Sequence, residues 1–233
     1  MDYLSDIIGQ THEFLQALEV ANKCAPTDSS VLITGETGTG KELFAKFIHE
    51  NSKRKGKPLV TINCGEQSVS LMESKLFGHT KGAFTGALKN RVGNLKYADK
   101  GTLFLDEIGD MPSFMQSAIL RAIEQKEFTP LGQDTPKSSD FRLICATNKN
   151  LKKCISQGSF REDLYYRINR IVIELPPLRS RKDDIPRLAK HFTKLACEKN
   201  QRSLKEFLPE ALKALKQYSW PGNIRELINV CER

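Results

Sequence analysis

A short apolar run, Val31-Leu32-Ile33-Thr34, leads into the glycine-rich loop Gly35-Glu36-Thr37-Gly38-Thr39-Gly40-Lys41, and a helical stretch follows. A strand, a glycine loop and a helix in this order are typical of a phosphate-binding P-loop. The glycines let backbone N–H groups turn towards phosphates, the lysine reaches the terminal phosphates, and the helix N-terminus adds a favourable dipole. We therefore expect a nucleotide site at the end of this strand, in preference to a glycine turn with no ligand.

The residue after the loop lysine departs from the usual pattern. Many P-loops place a Mg²⁺-binding Ser or Thr there, whereas this chain has Glu42. A neighbouring hydroxyl, a carboxylate or water must then complete the metal shell, and these alternatives stay open.

Four further apolar runs alternate with helical stretches. They are residues 59–62, 102–106, 141–145 and 171–175. Short strands that alternate with helices predict an α/β fold, with a five-stranded parallel sheet between helices. Among the helices, residues 113–125 follow Pro112 and carry a broad apolar face of Phe114, Ala118, Leu120, Ala122 and Ile123. We expect a structural role for that helix.

The run 102–106 ends in two acids, Asp106 and Glu107, and Asp106 comes 65 residues after Lys41. In a parallel sheet, a buried strand exposes only its C-terminal tip to the nucleotide crevice. There Asp106 could hold Mg²⁺ through water, and Glu107 could orient or deprotonate the attacking water. Two acids after an apolar run are uninformative alone, but at this distance from a P-loop they indicate an NTPase that performs hydrolysis.

Two asparagines follow other predicted strands. Asn63 ends the second strand and Asn148 follows the fourth, so both could reach the crevice from neighbouring strands. Each could instead cap or turn the chain. The presence of the P-loop favours the crevice for Asn148.

Two arginines, Arg161 and Arg167, lie too far apart for one i,i+4 pair to explain both. A surface salt bridge is one explanation. The other is that one or both reach a phosphate across a subunit boundary as arginine fingers.

The hexapeptide Gly82-Ala83-Phe84-Thr85-Gly86-Ala87 lies between the second and third predicted strands. Glycines and small residues surround a single aromatic side chain, which suits an exposed loop tip better than a core segment. An exposed Phe favours contact with another macromolecule, although composition does not choose the partner.

The chain has 233 residues, 39% hydrophobic and 27% charged, which is enough for one large domain with a smaller appendage. Its net charge of +8 suggests nucleic-acid binding. However, 13 Lys and Arg against 7 Asp and Glu lie in residues 179–233, so most of the excess positive charge belongs to the end of the chain.

Pro176-Pro177 stops the last strand, and helical stretches follow at 183–199, 208–218 and 222–233. We therefore expect a nucleotide-binding core at 1–178, which contains the hexapeptide loop, and a helical lid at 179–233.

The six cysteines form no Cys-x-x-Cys pair, which favours reduced thiols in a cytosolic protein over disulfides or a zinc site. The start of the chain lacks the basic and apolar regions of a signal peptide, and no apolar run approaches the ~18 residues of a membrane span. The sequence therefore predicts a cytoplasmic protein without membrane contact.

Five segments together resemble the central AAA+ domain of the bacterial enhancer-binding proteins, which activate sigma-54 RNA polymerase. They are residues 35–42, 82–87, 98–107, 160–167 and 220–227, in the order of that family. The hexapeptide is intact and close to diagnostic, because other P-loop families lack it. The family commonly has Glu after the P-loop lysine, which accounts for Glu42 and implies a Mg²⁺ shell finished by Asp106 and water.

The resemblance implies ATP as the nucleotide and suggests roles for single residues. Glu107 resembles the catalytic base, Asn63 the residue that holds it away from water, and Asn148 the γ-phosphate sensor. Arg161 and Arg167 resemble trans-acting arginines, which implies a homo-oligomeric ring that we expect to be a hexamer. The nucleotide-binding set then comprises Ile8, Gly9, Gly35, Glu36, Thr37, Gly38, Thr39, Gly40, Lys41, Glu42 and Arg225, the last as the second sensor in the lid.

The same resemblance implies that Phe84 and Thr85 contact sigma-54, and that ATP hydrolysis remodels the closed promoter complex into an open one. DNA contacts are then expected mainly through a domain absent from this chain. The family usually reads Gly-His-Glu before the hexapeptide, whereas this chain has Gly78-His79-Thr80, which removes a carboxylate that could latch the loop. Two alternatives are another P-loop machine, such as a clamp loader, helicase loader or unfoldase, and a DNA-binding module built from the last helices.

Overall fold

The strands of the computed structural model, which describes residues 7–65 and 69–233, confirm the predicted parallel sheet. In chain order the strands are β1 (Val31–Thr34), β2 (Leu59–Asn63), β3 (Gly78–His79), β4 (Arg91–Val92), β5 (Thr102–Asp106), β6 (Glu127–Phe128), β7 (Lys137–Ser138), β8 (Arg142–Thr147) and β9 (Ile171–Glu174). The central sheet has the order β2-β5-β8-β1-β9, and all of its neighbouring strands are parallel. The strand that leads into the P-loop, β1, therefore lies inside the sheet and not at its edge.

Helices connect the strands and continue after the last one. They are α1 (His12–Cys24), α2 (Lys41–Glu50), α3 (Val69–Phe77), α4 (Asn94–Tyr97), α5 (Ser113–Gln125), α6 (Leu151–Ser156), α7 (Glu162–Ile168), α8 (Ile185–Lys199), α9 (Pro209–Gln217) and α10 (Asn223–Glu232). Short 3₁₀ turns occupy Ile108–Asp110 and Leu178–Ser180. In the described part of the chain, no helix has the length and apolar character needed to cross a membrane.

Alternate residues of the central strands face opposite layers of helices. In β5, Leu103 and Leu105 belong to a core that includes residues of α3, α5 and α7, whereas Phe104 belongs to a core with α1 and α2. Because both faces of the sheet are buried, its inner strands are continuous apolar runs without polar alternation. This explains why the strands were visible in the sequence.

The buried face of α5 differs in part from the expected one. The helix spans the predicted residues and buries Ala122 and Ile123 as expected, but Phe114 is 52% exposed, and Met115 and Ile119 are buried instead. Successive residues on a helix point about 100° apart, so a face centred on Met115 leaves its neighbour Phe114 in solvent.

Two antiparallel pairs, β3 with β4 and β6 with β7, lie outside the central sheet and were not predicted. Each strand is two residues long, which is too short to give a periodic pattern. The first pair brackets the hexapeptide 82–87, and its base is bridged to Leu131 through His79. The hexapeptide therefore projects from a hairpin that is attached to the core.

A separate apolar cluster holds the C-terminal helices together. It contains Leu178, side chains of α8 such as Leu188 and Phe192, and Leu227 of α10 around the buried Trp220. The Trp220 indole Nε1 donates a hydrogen bond to the carbonyl oxygen of Leu215 at 2.8 Å, which satisfies its polar atom. The helices predicted after residue 182 thus pack as the expected helical lid.

Candidate nucleotide site

The carboxyl ends of the central strands meet at one edge of the sheet, beside a cavity of about 430 Å³. The P-loop extends β1, Asp106 ends β5, and Asn63 at the end of β2 is in register with Asp106. Of the residues predicted from the sequence, those that line the cavity are Ile8, Thr37, Gly38, Thr39, Gly40, Lys41, Glu42, Asn63, Asp106, Glu107 and Arg225. The fold therefore gathers side chains from both ends of the chain in one place.

The P-loop requires glycine at two positions. Gly40 has a φ of +100° directly before α2, and Gly38 has a φ of +82°. A Cβ atom on Gly38 would lie 2.3 Å from the carbonyl oxygen of Gly222 in the lid. Any side chain at Gly38 would therefore strain the loop and also push the lid away from it.

Lys41 is the first residue of α2, and its ammonium lies among oxygen atoms. Its Nζ donates to the carbonyl oxygens of Gly35 at 3.0 Å and Glu36 at 3.3 Å, and lies 3.4 Å from Glu107 Oε1. The side chain is 7% exposed, so these oxygens compensate a largely desolvated charge. This places one cation and one carboxylate beside the helix N-terminus that the loop creates.

Glu107 follows the strand in a left-handed conformation, with a φ of +51°. Residues other than glycine adopt this backbone conformation at an energetic cost, and such residues cluster at functional sites. Its Oε2 accepts a hydrogen bond from the backbone N–H of Asn148 at 3.0 Å. Together with Lys41, this contact holds the carboxylate at the edge of the cavity.

Asp106 and Glu42 add negative charge on the same side of the cavity. Burial raises the pKa of Asp106 above its usual range, and the carboxylates of Glu107 and Glu42 contribute to the rise, whereas Lys41 opposes it. The carboxylates of Glu107 and Glu42 are therefore both close enough to that of Asp106 to repel it.

The two asparagines behave differently. Asn148 Nδ2 donates to Thr37 Oγ1 at 2.9 Å, which ties the end of β8 to the P-loop. Asn63 Oδ1 accepts from the N–H of Gly65 at 2.8 Å and makes no hydrogen bond to Glu107 in this structure. The sequence analysis placed these residues on neighbouring strands, and this is wrong, because β5 lies between β2 and β8.

Among the described residues, Arg161 and Arg167 do not line the cavity. Arg161 precedes α7, and its guanidinium pairs with Asp163 at 2.7 Å and donates to Ser117 Oγ at 3.0 Å. The pair with Asp163 is the surface salt bridge that the sequence analysis gave as one explanation of this arginine. Arg167 lies in the last turn of α7 and has no ion pair within the described ranges. It is near enough to Lys126 to contribute to the lowering of that lysine's pKa, which burial chiefly causes.

The remaining predicted nucleotide contacts come from opposite ends of the chain. Ile8 lines the cavity, and Gly9 lies against Phe14 and Arg181, which also line it. Arg225, on α10, is exposed and lines the cavity from the lid side.

Sequence reasoning missed the contacts that fasten the lid to the P-loop. The Arg179 guanidinium donates to both carboxylate oxygens of Glu36, at 2.6 and 2.8 Å. Asn223 Nδ2 donates to Glu36 Oε2 at 3.2 Å and to the carbonyl of Thr37 at 3.0 Å, and the N–H of Ile224 donates to the carbonyl of Gly38 at 2.9 Å. Glu36 is 143 residues from Arg179 and 187 from Asn223 in sequence, so no local pattern signals these pairs.

Acid should loosen this lid attachment. The hydrogen bond from Arg179, followed by that from Asn223, lowers the pKa of Glu36 from an ordinary 4.5 to about 2. Because the pKa is lower in the folded state, the contribution to stability is complete above 4.5 and disappears as the pH falls towards 2. We expect Glu36→Gln to unfold in less urea than the wild type at about pH 7, and this difference to shrink at about pH 3.

A double-mutant cycle checks the assignment of this effect. Arg179→Ala should reproduce the loss seen in Glu36→Gln, and the double variant should lose little more than either single variant. Additive losses, or a difference between wild type and Glu36→Gln that does not depend on pH, would contradict the prediction.

The hexapeptide 82–87 folds back partly on its hairpin. Its ends are joined by a hydrogen bond from the N–H of Gly82 to the carbonyl of Ala87 at 2.9 Å. The Phe84 ring packs edge-on against His79 with 5.0 Å between centroids, yet the side chain remains 37% exposed. Below it, Thr80 donates to carbonyl oxygens of Leu131 and Gly132, each at 3.3 Å. The aromatic tip is therefore presented at the surface on a supported loop.

Two family models match this chain. One is described as the Sigma-54 interaction domain and matches residues 7–174. The other is described as the AAA+ ATPase lid domain and matches residues 179–233.

Similar proteins come from several bacteria. The chain is 50% identical over 227 residues to the transcriptional regulatory protein ZraR of Salmonella typhimurium, covering 97% of this chain and 52% of that protein. It is 48% identical over 227 residues to the DNA-binding transcriptional regulator NtrC of Rhizobium meliloti, covering 97% of this chain and 47% of that protein. The structure of NtrX from Brucella abortus in complex with ADP is similar with a TM-score of 0.91 at 36% identity, covering 98% of this chain and 51% of that one. The chain spans about half of the length of these relatives.

Proposed function

Because the chain belongs to the Sigma-54 interaction domain family and also matches an AAA+ lid, we propose that it is the ATP-hydrolysing part of a sigma-54-dependent transcriptional activator. The observation that carries this proposal is the cavity in which Lys41, Asp106, Glu107 and the lid residue Arg225 meet. In this proposal residues 1–178 form the nucleotide-binding core, residues 179–233 form the lid, and the protein acts in the cytoplasm.

ATP fits the two chemically different parts of the cavity. Loop residues 37–42 offer backbone N–H groups and the Lys41 ammonium to phosphates. Another part of the cavity wall is mostly apolar and suits the nucleotide base. It contains Phe14, Leu188, Phe192, Ile224 and Ile228. The solved complexes of NtrX with ADP and with ATP support this assignment.

Glu107 is the proposed general base. It would take a proton from the water that attacks the γ-phosphorus, while the bond between that phosphorus and the β–γ bridging oxygen breaks to release ADP and phosphate. The contacts of Glu107 with Lys41 and with the Asn148 N–H support this role, because they hold its carboxylate beside the phosphate end of the cavity. Asn148, bound to Thr37 of the P-loop, is the proposed γ-phosphate sensor.

Mg²⁺ suits the acidic side of the cavity. The pKa of Asp106 is raised by burial and by the carboxylates of Glu107 and Glu42, so a cation there would relieve repulsion. Within residues 7–65 and 69–233, no three His, Cys, Asp or Glu side chains are arranged to hold a metal ion. A Mg²⁺ ion usually keeps water and phosphate ligands, so Asp106 would suffice as its protein ligand with Glu42 nearby. When bound, the ion would neutralise phosphate charge.

Arg161 and Arg167 would complete the site of a neighbouring subunit. Neither lines the cavity of its own chain, and both belong to the segment around α7. Arg167 has no ion pair in the described ranges, and a phosphate bound by a neighbouring chain would supply one. We therefore propose a homo-oligomeric ring, a hexamer, in which each site is shared by two chains.

The hexapeptide is the proposed contact with sigma-54. Asn63 ends β2, and α3 then leads to β3 and the hexapeptide, so a change in contact between Asn63 and Glu107 would be transmitted along this segment to the loop. Residues 66–68 of the segment lie outside the described residues. Raising the Phe84 loop towards sigma-54 would remodel the closed promoter complex into the open one.

Thr85→Ala tests this proposal. Thr85 is exposed and does not line the cavity, so we expect ATP turnover to stay within about twofold of wild type, as for most surface substitutions. Open-complex formation by sigma-54 RNA polymerase on promoter DNA should be lost. Ser203→Ala, which removes an exposed hydroxyl from the segment between α8 and α9, is the control and should support both activities. Full open-complex formation by Thr85→Ala would reject the loop assignment.

The alternatives are less well supported. A clamp loader, helicase loader or unfoldase would not require the intact hexapeptide 82–87. Direct DNA binding by the lid is disfavoured, because its basic residues are interleaved with acids, as in the pair Lys216 and Asp183. We propose that DNA is contacted mainly through a domain absent from this chain.

A further inference from the structure

A buried ion pair, Arg181 with Asp184, lies beside the apolar part of the cavity. Arg181 Nε donates to Asp184 Oδ2 at 2.9 Å, and the two side chains are 2% and 0% exposed. Charges are buried at a cost that pairing only partly offsets, so such a pair needs a structural or functional reason. Neither residue belongs to the phosphate end of the cavity described above.

The Asp184 carboxylate binds the segment before α1. It accepts hydrogen bonds from the N–H groups of Gln10 at 2.7 Å and Thr11 at 3.3 Å, and from Thr11 Oγ1 at 2.9 Å. Thr11 is the N-cap of α1 but its own side chain does not cap that helix, and Asp184 does not cap α8. The lid therefore supplies the anion at the N-terminus of a helix in the core.

Arg181 holds the same segment from a second side. Its Nη2 donates to the carbonyl oxygen of Ile8 at 2.8 Å, and its guanidinium carbon lies 3.7 Å from the centre of the Phe14 ring. A Cβ atom on Gly9 would lie 2.2 Å from Phe14 Cδ1 and 2.7 Å from Arg181 Nη2. The backbone at Gly9 is thus pressed directly against both side chains.

These contacts define one wall of the cavity. Ile8, Phe14 and Arg181 all line it, together with Leu188 and Phe192 of α8, the helix that follows the pair. A mostly apolar wall with few polar groups suits a purine base. The ion pair binds the core segment at residues 8–11 and lies directly before the lid helix α8. It therefore fixes the distance between that segment and α8.

We propose that Arg181 and Asp184 are positioning residues for recognition of the nucleotide base. They hold residues 8–11 and the Phe14 ring against α8, so that the base is bound at a fixed place relative to the P-loop. This inference rests on the proposed nucleotide-binding function and assigns the base end of that site.

The experiment compares the affinity of the whole chain for ATP and for inorganic tripolyphosphate, which lacks a base. Asp184→Asn weakens the bonds to Gln10 and Thr11, so the affinity for ATP should fall about tenfold or more, as expected for charge-assisted hydrogen bonds. The affinity for tripolyphosphate should change by less than about twofold, because the P-loop is untouched. A general loss of structure would lower both affinities alike.

A matched control lies next to the tested residue. Asp183 is exposed and pairs with Lys216 at 2.9 Å, so Asp183→Asn removes a neighbouring lid carboxylate without touching the core. Both of its affinities should equal those of the wild type.

A milder variant tests the positioning role if the Asp184→Asn chain does not fold. Thr11→Val removes the hydrogen bond between Thr11 Oγ1 and Asp184 and keeps the ion pair, and it should weaken ATP binding selectively by a smaller factor. The inference is overturned if the folded variants bind ATP as the wild type does, or lose ATP and tripolyphosphate equally. A wild-type chain that binds neither ligand would instead reject the proposed function.

Discussion

Replacing Glu107 with Gln should lower ATP turnover by about 100- to 10,000-fold, the usual contribution of general base catalysis. Glutamine has the same shape and keeps the acceptor for the Asn148 N–H, which donates to Glu107 Oε2 at 3.0 Å. It cannot take a proton from water. ATP affinity should therefore stay within about threefold of wild type while turnover falls.

Both quantities are measured on the same preparation, by phosphate release and by equilibrium binding of ATP. Asp110→Asn is the matched control. Asp110 lies in the 3₁₀ turn Ile108–Asp110, which directly follows Glu107, and it pairs with Lys149 at 2.6 Å without lining the cavity. It should retain turnover. Undiminished turnover by Glu107→Gln would exclude Glu107 as the base.

Arg167→Ala should lower ATP turnover by about 1,000-fold or more, the effect typical of an arginine finger. The side chain does not line the cavity of its own chain, so ATP binding to a single chain should be retained. Arg170→Ala, which removes an exposed arginine just after α7, should be almost as active as the wild type. Arg161→Ala should lose less activity than Arg167→Ala, because Arg161 is partly engaged by Asp163.

Mixing the two inactive variants separates action within a chain from action between chains. An Arg167→Ala chain still supplies Glu107, and a Glu107→Gln neighbour still supplies Arg167. Random assembly into head-to-tail rings would restore roughly a quarter of the sites. A mixture as inactive as its components would contradict a shared site, and full activity of Arg167→Ala alone would reject the arginine finger.

The elements visible in the sequence were those whose signal is local. The five central strands are apolar runs because both faces of the sheet are buried, and the P-loop needs glycine at adjacent turns whatever surrounds it. The expected face of α5 was wrong at Phe114, since an apolar residue in a helix does not say which side the sheet occupies. The pairs β3–β4 and β6–β7 were too short to be seen.

The residues of the site also divide into those with a local signal in the sequence and those without one. Lys41, Asp106 and Glu107 are predictable because each follows or ends a buried strand, and the parallel sheet brings such ends together. The contacts of Glu36 with Arg179 and Asn223, and of Asp184 with Gln10 and Thr11, join residues more than a hundred positions apart. These contacts exist only once folding has brought the partners together and fixed their separation, with Asp184 buried while Glu36 and Arg179 remain partly exposed. The amino-acid order thus suffices for the phosphate-binding chemistry, whereas the packing of the lid on the core creates the attachments around the nucleotide.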